Sequence, residues 1–241
     1  MSDSPTVDRV LVVTAHPDDV DFGAAGSVAR WTGEGVEVHY CICTDGDAGG
    51  SDESITRAEM GRIRRSEQTA AAAAVGVTDI HFLGHPDGRL YVTHELRRDI
   101  TRVIRQVRPQ RVLIQSPERN LERIYASHPD HLAAGDAALC AVYPDSRNPF
   151  AHPELLEEER LEPWTVAEIY VMGHPKGDLF VDITDTFEAK LAALRSHASQ
   201  MTQRDPEELR EMLQGWASRI AGEGGLAEGR LAEGFRRIDT R

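Results

Sequence analysis

The sequence predicts an α/β protein with a three-layer, Rossmann-like fold, in which helices flank a mostly parallel sheet. Two observations lead to this prediction: short apolar runs typical of strands alternate with longer helical patterns, and the connections between them are short. The first strand is predicted at residues 10–14, where the run VLVVT is apolar on both faces, as in the interior of a parallel sheet. A helix follows at 22–32, and a second strand at 36–43.

The later elements continue this alternation. Further helices are predicted at 54–75, 95–107, 129–142, 185–197 and 206–221, and further strands at 80–83, 112–115, 169–172 and 179–183. The Pro-rich, acidic segment 145–163 is predicted to be a surface excursion that contributes to substrate specificity. We expect a single domain over residues 1–241, with a core at about 8–201 and a helical extension at about 202–241. The Gly-rich stretch 222–234 is expected to be partly mobile.

The charge of the chain argues against nucleic acid as a partner. Of 241 residues, 40 are acidic and 27 basic, which gives a formal net charge of −13, and such a surface repels a polyanion. The three cysteines, Cys41, Cys43 and Cys140, are odd in number and lack disulfide spacing, which indicates a reducing compartment. The sequence shows neither a secretory signal nor a run near the roughly 18 apolar residues of a membrane span. We therefore predict a cytoplasmic protein without a membrane partner, and a homo-oligomer is compatible with the sequence.

The segment AHPDD, residues 15–19, directly follows the first predicted strand. In an open α/β sheet, ligands bind at the carboxyl ends of strands, so these polar side chains are predicted to lie at a ligand site. The imidazole of His16 and the carboxylate of Asp19 are spaced to reach one metal ion, and Asp18 lies between them, close enough to act on a metal-bound water. A structural role is the alternative, because Asp18 or Asp19 can also cap the following helix.

A second segment, SHPDH at 127–131, follows the fourth predicted strand and its loop and begins a helix, with Pro129 in the favourable first helical position. Because parallel strands end at the same edge of a sheet, the two segments are predicted to meet. A histidine from this segment, with His16 and Asp19, gives three protein ligands and open positions, as in catalytic rather than structural metal sites. Such a set favours Zn²⁺, although Fe²⁺ also binds two histidines and one carboxylate.

These motifs resemble those of the PIG-L/LmbE-like N-acetylglucosaminyl deacetylases, a family that includes the mycothiol and bacillithiol biosynthesis deacetylases. The resemblance extends over about residues 8–201. Besides AHPDD and HPDH it is carried by TDGD at 44–47, RxxEQ at 64–68, FLGHPDG at 82–88 and the segment 190–200. The chain departs from the common family pattern at Val20 and Asp47, where many members have Glu. It also has Ala126 where some members carry a mobile tyrosine, with Tyr125 one position away.

The resemblance implies a metal-dependent hydrolase that removes an acyl group, typically acetyl, from the amide nitrogen of a small amino-sugar-like substrate. It implies that His16, Asp19 and His131 bind Zn²⁺. It also implies that Asp18 is the general base that activates water.

Other residues receive roles from the same resemblance. His128, oriented by Asp130, would stabilise the oxyanion or act as the general acid. Arg64 and Asp87 resemble positions that contact sugar hydroxyls. His197 is a further candidate for the site, as is Tyr125.

Two other functions are compatible with the sequence. One is an amidase that acts on a larger thiol-sugar or antibiotic conjugate, and the other is a non-catalytic, metal-dependent sugar-binding protein. Binding alone needs no base beside a metal-bound water, so the presence of Asp18 and His128 favours an enzyme.

Overall fold

The computed structural model describes residues 6–50, 52–122, 124–201 and 205–241, without the side chain of Tyr125. The strands are β1 (Arg9–Thr14), β2 (Glu37–Thr44), β3 (Asp79–His85), β4 (Arg111–Gln115), β5 (Glu168–Met172), β6 (Leu179–Asp182) and β7 (Ala232–Asp239). The helices are α1 (Asp19–Gly33), α2 (Arg57–Ala74), α3 (His94–Val107), α4 (Pro129–Val142), α5 (Pro153–Glu157), α6 (Phe187–Arg195), α7 (Ala198–Met201) and α8 (Pro206–Glu223).

Within the described residues, these strands form one seven-stranded sheet in the order β3-β2-β1-β4-β5-β7-β6. The first five strands in this order, from β3 to β5, run parallel to one another. Strand β7 runs antiparallel to both β5 and β6. The predicted three-layer α/β fold with a mostly parallel sheet is confirmed.

The central strands are apolar on both faces because helices cover both sides of the sheet. Val10 and Val12 pack with the side chains of α1 and α2 on one face, whereas Leu11 and Val13 pack with α3 and α4 on the other. Cys41 and Cys43 both lie in the core on the α3/α4 side, as the alternation in β2 predicts. Helices α6 and α8 form a smaller core of their own with residues at the end of β6.

The strand order creates a crevice between β1 and β4. After β1 the chain continues outward to β2 and β3, and it then crosses back to place β4 on the opposite side of β1. Loops therefore diverge at the carboxyl ends of β1 and β4, which is where ligands bind in open α/β sheets. The two ends are tied together, because the backbone N–H of Ala15 donates to the Gln115 Oε1 at 2.8 Å. The AHPDD and SHPDH segments follow these strand ends.

The prediction of a helical C-terminal extension is wrong at its end, because residues 232–239 form β7 inside the sheet. The charged residues in AEGFRRID obscure the alternation of apolar and polar residues that predicts a strand. These charges can lie within the sheet because partners elsewhere in the fold neutralise them. Glu233 pairs with Lys190, and Arg237 pairs with Glu168 on β5. A strand can be recognised from alternating polarity only where its charged side chains face water, and these charges face protein partners instead.

Segment 145–163 is anchored to the helical layer, which differs from the predicted surface excursion. The Arg105 guanidinium, on α3, donates to the backbone carbonyls of Asp145, Asn148 and Ala151. Arg97, about two turns earlier on α3, forms a two-bond ion pair with the Asp145 carboxylate. Among the described helices, none combines the length and the hydrophobicity that a membrane-spanning segment requires.

Candidate metal centre and active site

Three predicted ligands converge at the crevice between β1 and β4. His16 lies in the turn after β1, Asp19 is the first residue of α1, and His131 lies in the first turn of α4. One Asp19 oxygen, Oδ2, is 3.3 Å from His16 Nδ1, and the other, Oδ1, is 2.9 Å from His131 Nε2. Neighbouring ligand atoms of a tetrahedral zinc site with bonds of 2.0–2.1 Å lie roughly 3.3 Å apart. The His16–Asp19 separation matches this spacing, whereas His131 lies closer to the second Asp19 oxygen.

The second ring nitrogen of His16 is held by carboxylates. His16 Nε2 lies 3.1 Å from Asp87 Oδ1 and 3.3 Å from Asp130 Oδ2. These acceptors favour the tautomer with hydrogen on Nε2, which leaves the Nδ1 lone pair free on the side of Asp19. A carboxylate that accepts from the outer nitrogen of a metal-binding histidine is a recurrent feature of metal sites, and it orients the ring.

The electrostatics of the cluster favour a cation. Burial lowers the pKa of the His16 imidazole, but the carboxylate of Asp19 and two further carboxylates outweigh burial and raise it to about 12. Burial also disfavours the charged form of Asp19, yet His131 and His16 hold the pKa of this carboxyl well below its usual range. Both shifts mean that positive charge is stabilised where the three side chains meet.

His128 is close enough to be a further donor to the same cluster. Its ring centroid is 5.0 Å from that of His16 and 5.3 Å from that of His131, and the three histidines offer nitrogen atoms within 4.8 Å of one another. His128 Nδ1 accepts a hydrogen bond from the backbone N–H of Asp130 at 3.2 Å. The neutral imidazole therefore carries its hydrogen on Nε2.

Asp18 is held in a left-handed backbone conformation at the start of α1. Its φ is 85°, which non-glycine residues adopt at a cost, although Asp tolerates it better than most. The Asp18 N–H donates to Gln68 Oε1 at 2.7 Å, and the carboxylate accepts from Arg64 Nη2 at 3.1 Å. Burial raises the pKa of Asp18 to about 6, while the Arg64 guanidinium opposes that rise.

The turn at Asp18 is held by a network of buried polar side chains. Gln68 Nε2 donates to Asp21 Oδ2 at 2.9 Å, and His197 Nε2 lies 2.8 Å from the same oxygen. All three side chains are fully buried. The network joins α1 to α2 and to the residues after α6, so the position of Asp18 depends on three separate parts of the chain.

Arg64 fills the space between this turn and the loop after β2. Besides its contact with Asp18, it donates to the backbone oxygens of Pro17 at 2.5 Å and of Gly46 at 3.1 Å. A Cβ at Gly46 would lie 2.3 Å from Arg64 Nη1 and would displace this guanidinium, and the φ of Gly46, +64°, is a conformation that favours glycine.

Comparison with known proteins assigns the chain to a family. Residues 11–142, more than half of the chain, match the family model described as PIG-L, GlcNAc-PI de-N-acetylase. The diacetylchitobiose deacetylase of Thermococcus kodakarensis is 35% identical over 231 residues, which cover 95% of this chain and 83% of that protein. The chain is a member of the PIG-L family.

Two further comparisons agree with this membership. A protein from Bacillus cereus, described as a probable N-acetyl-alpha-D-glucosaminyl L-malate deacetylase 2, is 33% identical over 80% of this chain and 83% of its own length. The solved structure of N,N′-diacetylchitobiose deacetylase from Pyrococcus horikoshii, complexed with its inhibitor MPG, matches with a TM-score of 0.89 and 33% identity. That match covers 98% of this chain and 85% of the other. The PIG-L proteins named here are deacetylases, which hydrolyse amide bonds.

For several predicted site residues, the contacts in the structure differ from those that the predicted role requires. Arg64 is only 4% exposed and contacts Asp18 and backbone oxygens. The Asp130 carboxylate faces His16 and accepts from the backbone N–H groups of residues 88 and 90, so only the backbone of Asp130 orients His128. Asp87 is 7% exposed and lies at His16. The prediction for Tyr125 lies outside the described side chains.

Sequence reasoning missed the contribution of Gln68 and Asp21. A signal was present, because Arg64 and Gln68 are four residues apart and share one face of α2. Once Arg64 is placed under the AHPDD turn, Gln68 must lie beside it. The partner on α1, Asp21, has no signal of its own, since a carboxylate in the first turn of a helix is common for electrostatic reasons alone.

Proposed function

We propose that this chain is a metal-dependent hydrolase that removes an acetyl group from the amide nitrogen of an N-acetylated amino sugar. The observation that carries the proposal is the partly buried Asp18 carboxylate, which pairs with Arg64 and directly precedes Asp19, the residue that both His16 and His131 contact. A protein that only binds a metal needs no such base. The strained turn that carries Asp18 is held by its own network of buried polar side chains. Membership of the PIG-L family supports the same reaction, and the relatives' names supply the substrate class.

The proposed metal ligands are His16, Asp19 and His131, and the proposed metal is Zn²⁺, with Fe²⁺ as the alternative for this donor set. Three protein ligands leave positions open for substrate and water, as in catalytic sites. When bound, the metal polarises the acyl carbonyl and lowers the pKa of water toward about 7. Asp87 and Asp130 keep His16 in the tautomer that presents Nδ1.

Asp18 is the proposed general base, which takes a proton from the attacking water. Arg64 favours the ionised form of this carboxylate against the effect of burial, and it fixes the direction of the carboxylate. His128 carries hydrogen on Nε2, because Nδ1 accepts from the protein backbone. Nε2–H is therefore available to stabilise the oxyanion of the tetrahedral intermediate. The proton for the departing amine comes from His128 or from protonated Asp18.

The test is an assay of amine release by the Zn²⁺-loaded protein with N-acetylglucosamine and N,N′-diacetylchitobiose. Since positioned general bases contribute about 10²–10⁴ in rate, the Asp18→Asn variant should turn over at least about a hundredfold more slowly. Its metal content, measured by elemental analysis, should equal that of the wild type. Full activity in Asp18→Asn would remove Asp18 from the mechanism. A metal-loaded wild type that releases no amine from any N-acyl amino sugar would favour a sugar-binding protein.

An amidase for a larger conjugate is the second candidate function. It is favoured by a large cavity that adjoins the proposed metal ligands and exceeds the needs of an acetyl group. A cytoplasmic location is proposed from the sequence alone, and the sequence is compatible with a homo-oligomer.

A further inference from the structure

A second cluster of metal-binding side chains lies at the start of β2 and β3, far along the sheet from the candidate active site. Glu37 and His39 are alternate residues of β2, so their side chains project from the same face. Asp79 is the first residue of the edge strand β3 and is in register with His39. Neighbouring strands lie about 4.8 Å apart. The three side chains are therefore adjacent on one face of the sheet.

These side chains bring their ligand atoms close together. One nitrogen of His39 and one oxygen each of Glu37 and Asp79 lie within 4.8 Å of one another. The closest contact joins His39 Nε2 to Glu37 Oε1 at 2.8 Å. Neighbouring ligands of a tetrahedral zinc ion lie roughly 3.3 Å apart. Because Glu37 and Asp79 are exposed, their side chains can rotate to this spacing while the backbone stays in place.

The His39 ring is buried and incompletely paired. It is 9% exposed, and its Nδ1 has no hydrogen-bond partner in the described part of the chain. Most buried side-chain nitrogens have such a partner. Since the protein does not commit Nδ1 as donor or acceptor, the ring can carry its hydrogen there and present a free lone pair on Nε2. A neutral imidazole in this form is a metal ligand.

The charge of the cluster favours a divalent cation. Among the described residues, no Lys or Arg lies within ion-pairing distance of Glu37 or Asp79. Arg9 is in register with Glu37 on β1, but its guanidinium donates to the backbone oxygen of Arg108. Two carboxylates and one imidazole suit zinc and related transition metals, whereas Mg²⁺ and Ca²⁺ prefer oxygen ligands alone.

The imidazole of His81 belongs to the same face of β3 but lies outside the cluster. Its ring centroid is 6.3 Å from that of His39. The corresponding distances among the histidines of the candidate metal centre are shorter, at 5.0, 5.2 and 5.3 Å. His81 is therefore a neighbouring histidine against which the role of His39 can be compared.

We propose that Glu37, His39 and Asp79 form a second binding site, which takes a divalent transition-metal ion such as Zn²⁺. Glu37 is in register with Arg9, the first residue of β1, whereas the candidate active site follows the last residue of that strand. At about 3.3 Å per residue, the two sites lie more than about 16 Å apart. The second ion is thus separate from the proposed catalytic metal, and the site does not depend on the proposed function.

The role of this ion is to join the edge strand β3 to β2. An ion that binds the folded chain and not the unfolded chain stabilises the fold in proportion to the logarithm of its concentration. Two of the three ligands are exposed, so this site binds Zn²⁺ more weakly than the buried cluster at His16. Dialysis removes its ion first.

The first experiment counts Zn²⁺ ions by calorimetric titration of the metal-free, full-length protein. Asp79→Asn and Glu37→Gln should each weaken one Zn²⁺ site by at least about tenfold relative to the wild type. Both positions are exposed, so the fold should be retained. His81→Ala is one control. Asp8→Asn, an exposed residue just before β1, is the other, and both controls should bind as the wild type does. Identical titrations of Asp79→Asn and the wild type would overturn the site.

The comparison between proteins isolates the second site. Since only the difference from the wild type is measured, the result is the same whether or not the candidate active site fills with Zn²⁺. A loss of one site in His81→Ala but not in Asp79→Asn would overturn the proposed ligand set.

The second experiment tests whether His39 is a ligand, by following the Tm in the presence of Zn²⁺. The rise in Tm should be smaller in His39→Gln and Asp79→Asn than in the wild type and His81→Ala. Circular dichroism without metal reports whether His39→Gln is folded. Mg²⁺ at the same concentration should not distinguish the four proteins, because an imidazole is a poor ligand for it. Equal Zn²⁺-dependent shifts in all four, or equal effects of Mg²⁺ and Zn²⁺, would overturn the proposal.

Discussion

The Arg64 guanidinium holds both the backbone and the side chain at the proposed base, because it donates to the Pro17 oxygen at 2.5 Å and to the Asp18 carboxylate at 3.1 Å. Arg64 is buried, so water screens this ion pair little. A planar guanidinium can make these two contacts and a third one to Gly46 at once, whereas a lysine ammonium cannot. This geometry assigns Arg64 a role in positioning Asp18.

Arg64→Lys should therefore lower kcat by about ten- to a hundredfold with little change in KM, because the base is misplaced while the substrate contacts remain. Steady-state kinetics on an N-acetylated amino sugar checks the prediction. Arg62→Lys, an exposed position on the same helix, is the control and should behave as wild type. A raised KM with unchanged kcat would instead support the sugar contact that the family resemblance implies.

Gln68 is predicted to stabilise both the fold and the strained turn. Gln68→Ala leaves the Asp18 N–H and the buried Asp21 carboxylate each without one hydrogen bond. The free energy of unfolding should fall by about 1–3 kcal/mol, since buried polar groups are costly to leave unpaired, and kcat should fall as well. Urea denaturation measures the first effect. Thr69→Ala, an exposed neighbour on α2, should change stability by no more than about 0.5 kcal/mol. Equal stability of the two variants would remove Gln68 from the network.

Local patterns predicted most of the fold. The helix at 129–142 has the predicted bounds, and the largest shifts elsewhere are about one helical turn, as in α1, which begins at 19 rather than 22. These elements follow from apolar periodicity and from nearby Pro and Gly residues, which act within a few positions of the chain. Short helices such as α5 and α7 carry too few turns for such a pattern.

What the sequence did not reveal depends on contacts between distant residues. AHPDD and HPDH predicted that His16 and Asp19 meet a histidine of the second segment, because parallel strands end at one edge, and the family resemblance implies that this histidine is His131. The contact between Arg64 and Asp18 could not be derived from the sequence, since it depends on how α2 packs. The cavity depends on α8 and β7 for the same reason. Segment 145–163 was expected to confer specificity, but in the described part of the chain none of its residues lines that cavity.

The third metal ligand is tested by comparing two histidines of one motif. His131→Ala should lose most bound Zn²⁺ after dialysis, because His131 Nε2 lies 2.9 Å from the shared ligand Asp19. His128→Ala should keep the metal and lose at least about a hundredfold in rate. Elemental analysis and amine release measure the two effects. His81→Ala, on β3, is the control for both. If His128→Ala loses the metal and His131→Ala keeps it, His128 is the ligand. The structure also allows this assignment, because His16, His128 and His131 offer nitrogen atoms within 4.8 Å of one another.

Lys190 and Glu233 link α6, α1 and the unpredicted strand β7, and their side chains are each only 5% exposed. Glu233→Gln removes the charge that neutralises Lys190 but keeps the size of the side chain. Removing one partner of a buried ion pair leaves the other charge uncompensated, so the free energy of unfolding should fall by about 3–5 kcal/mol.

The Lys190→Met/Glu233→Gln double variant should recover part of this loss, because it removes the stranded ammonium as well. Urea denaturation of the single and double variants measures the recovery. Glu228→Gln, which lies exposed before β7, should leave the stability within about 0.5 kcal/mol of wild type. If Glu233→Gln also behaves as wild type, then β7 is held by its backbone pairing with β5 and β6, and the ion pair does not stabilise the C-terminal part of the sheet.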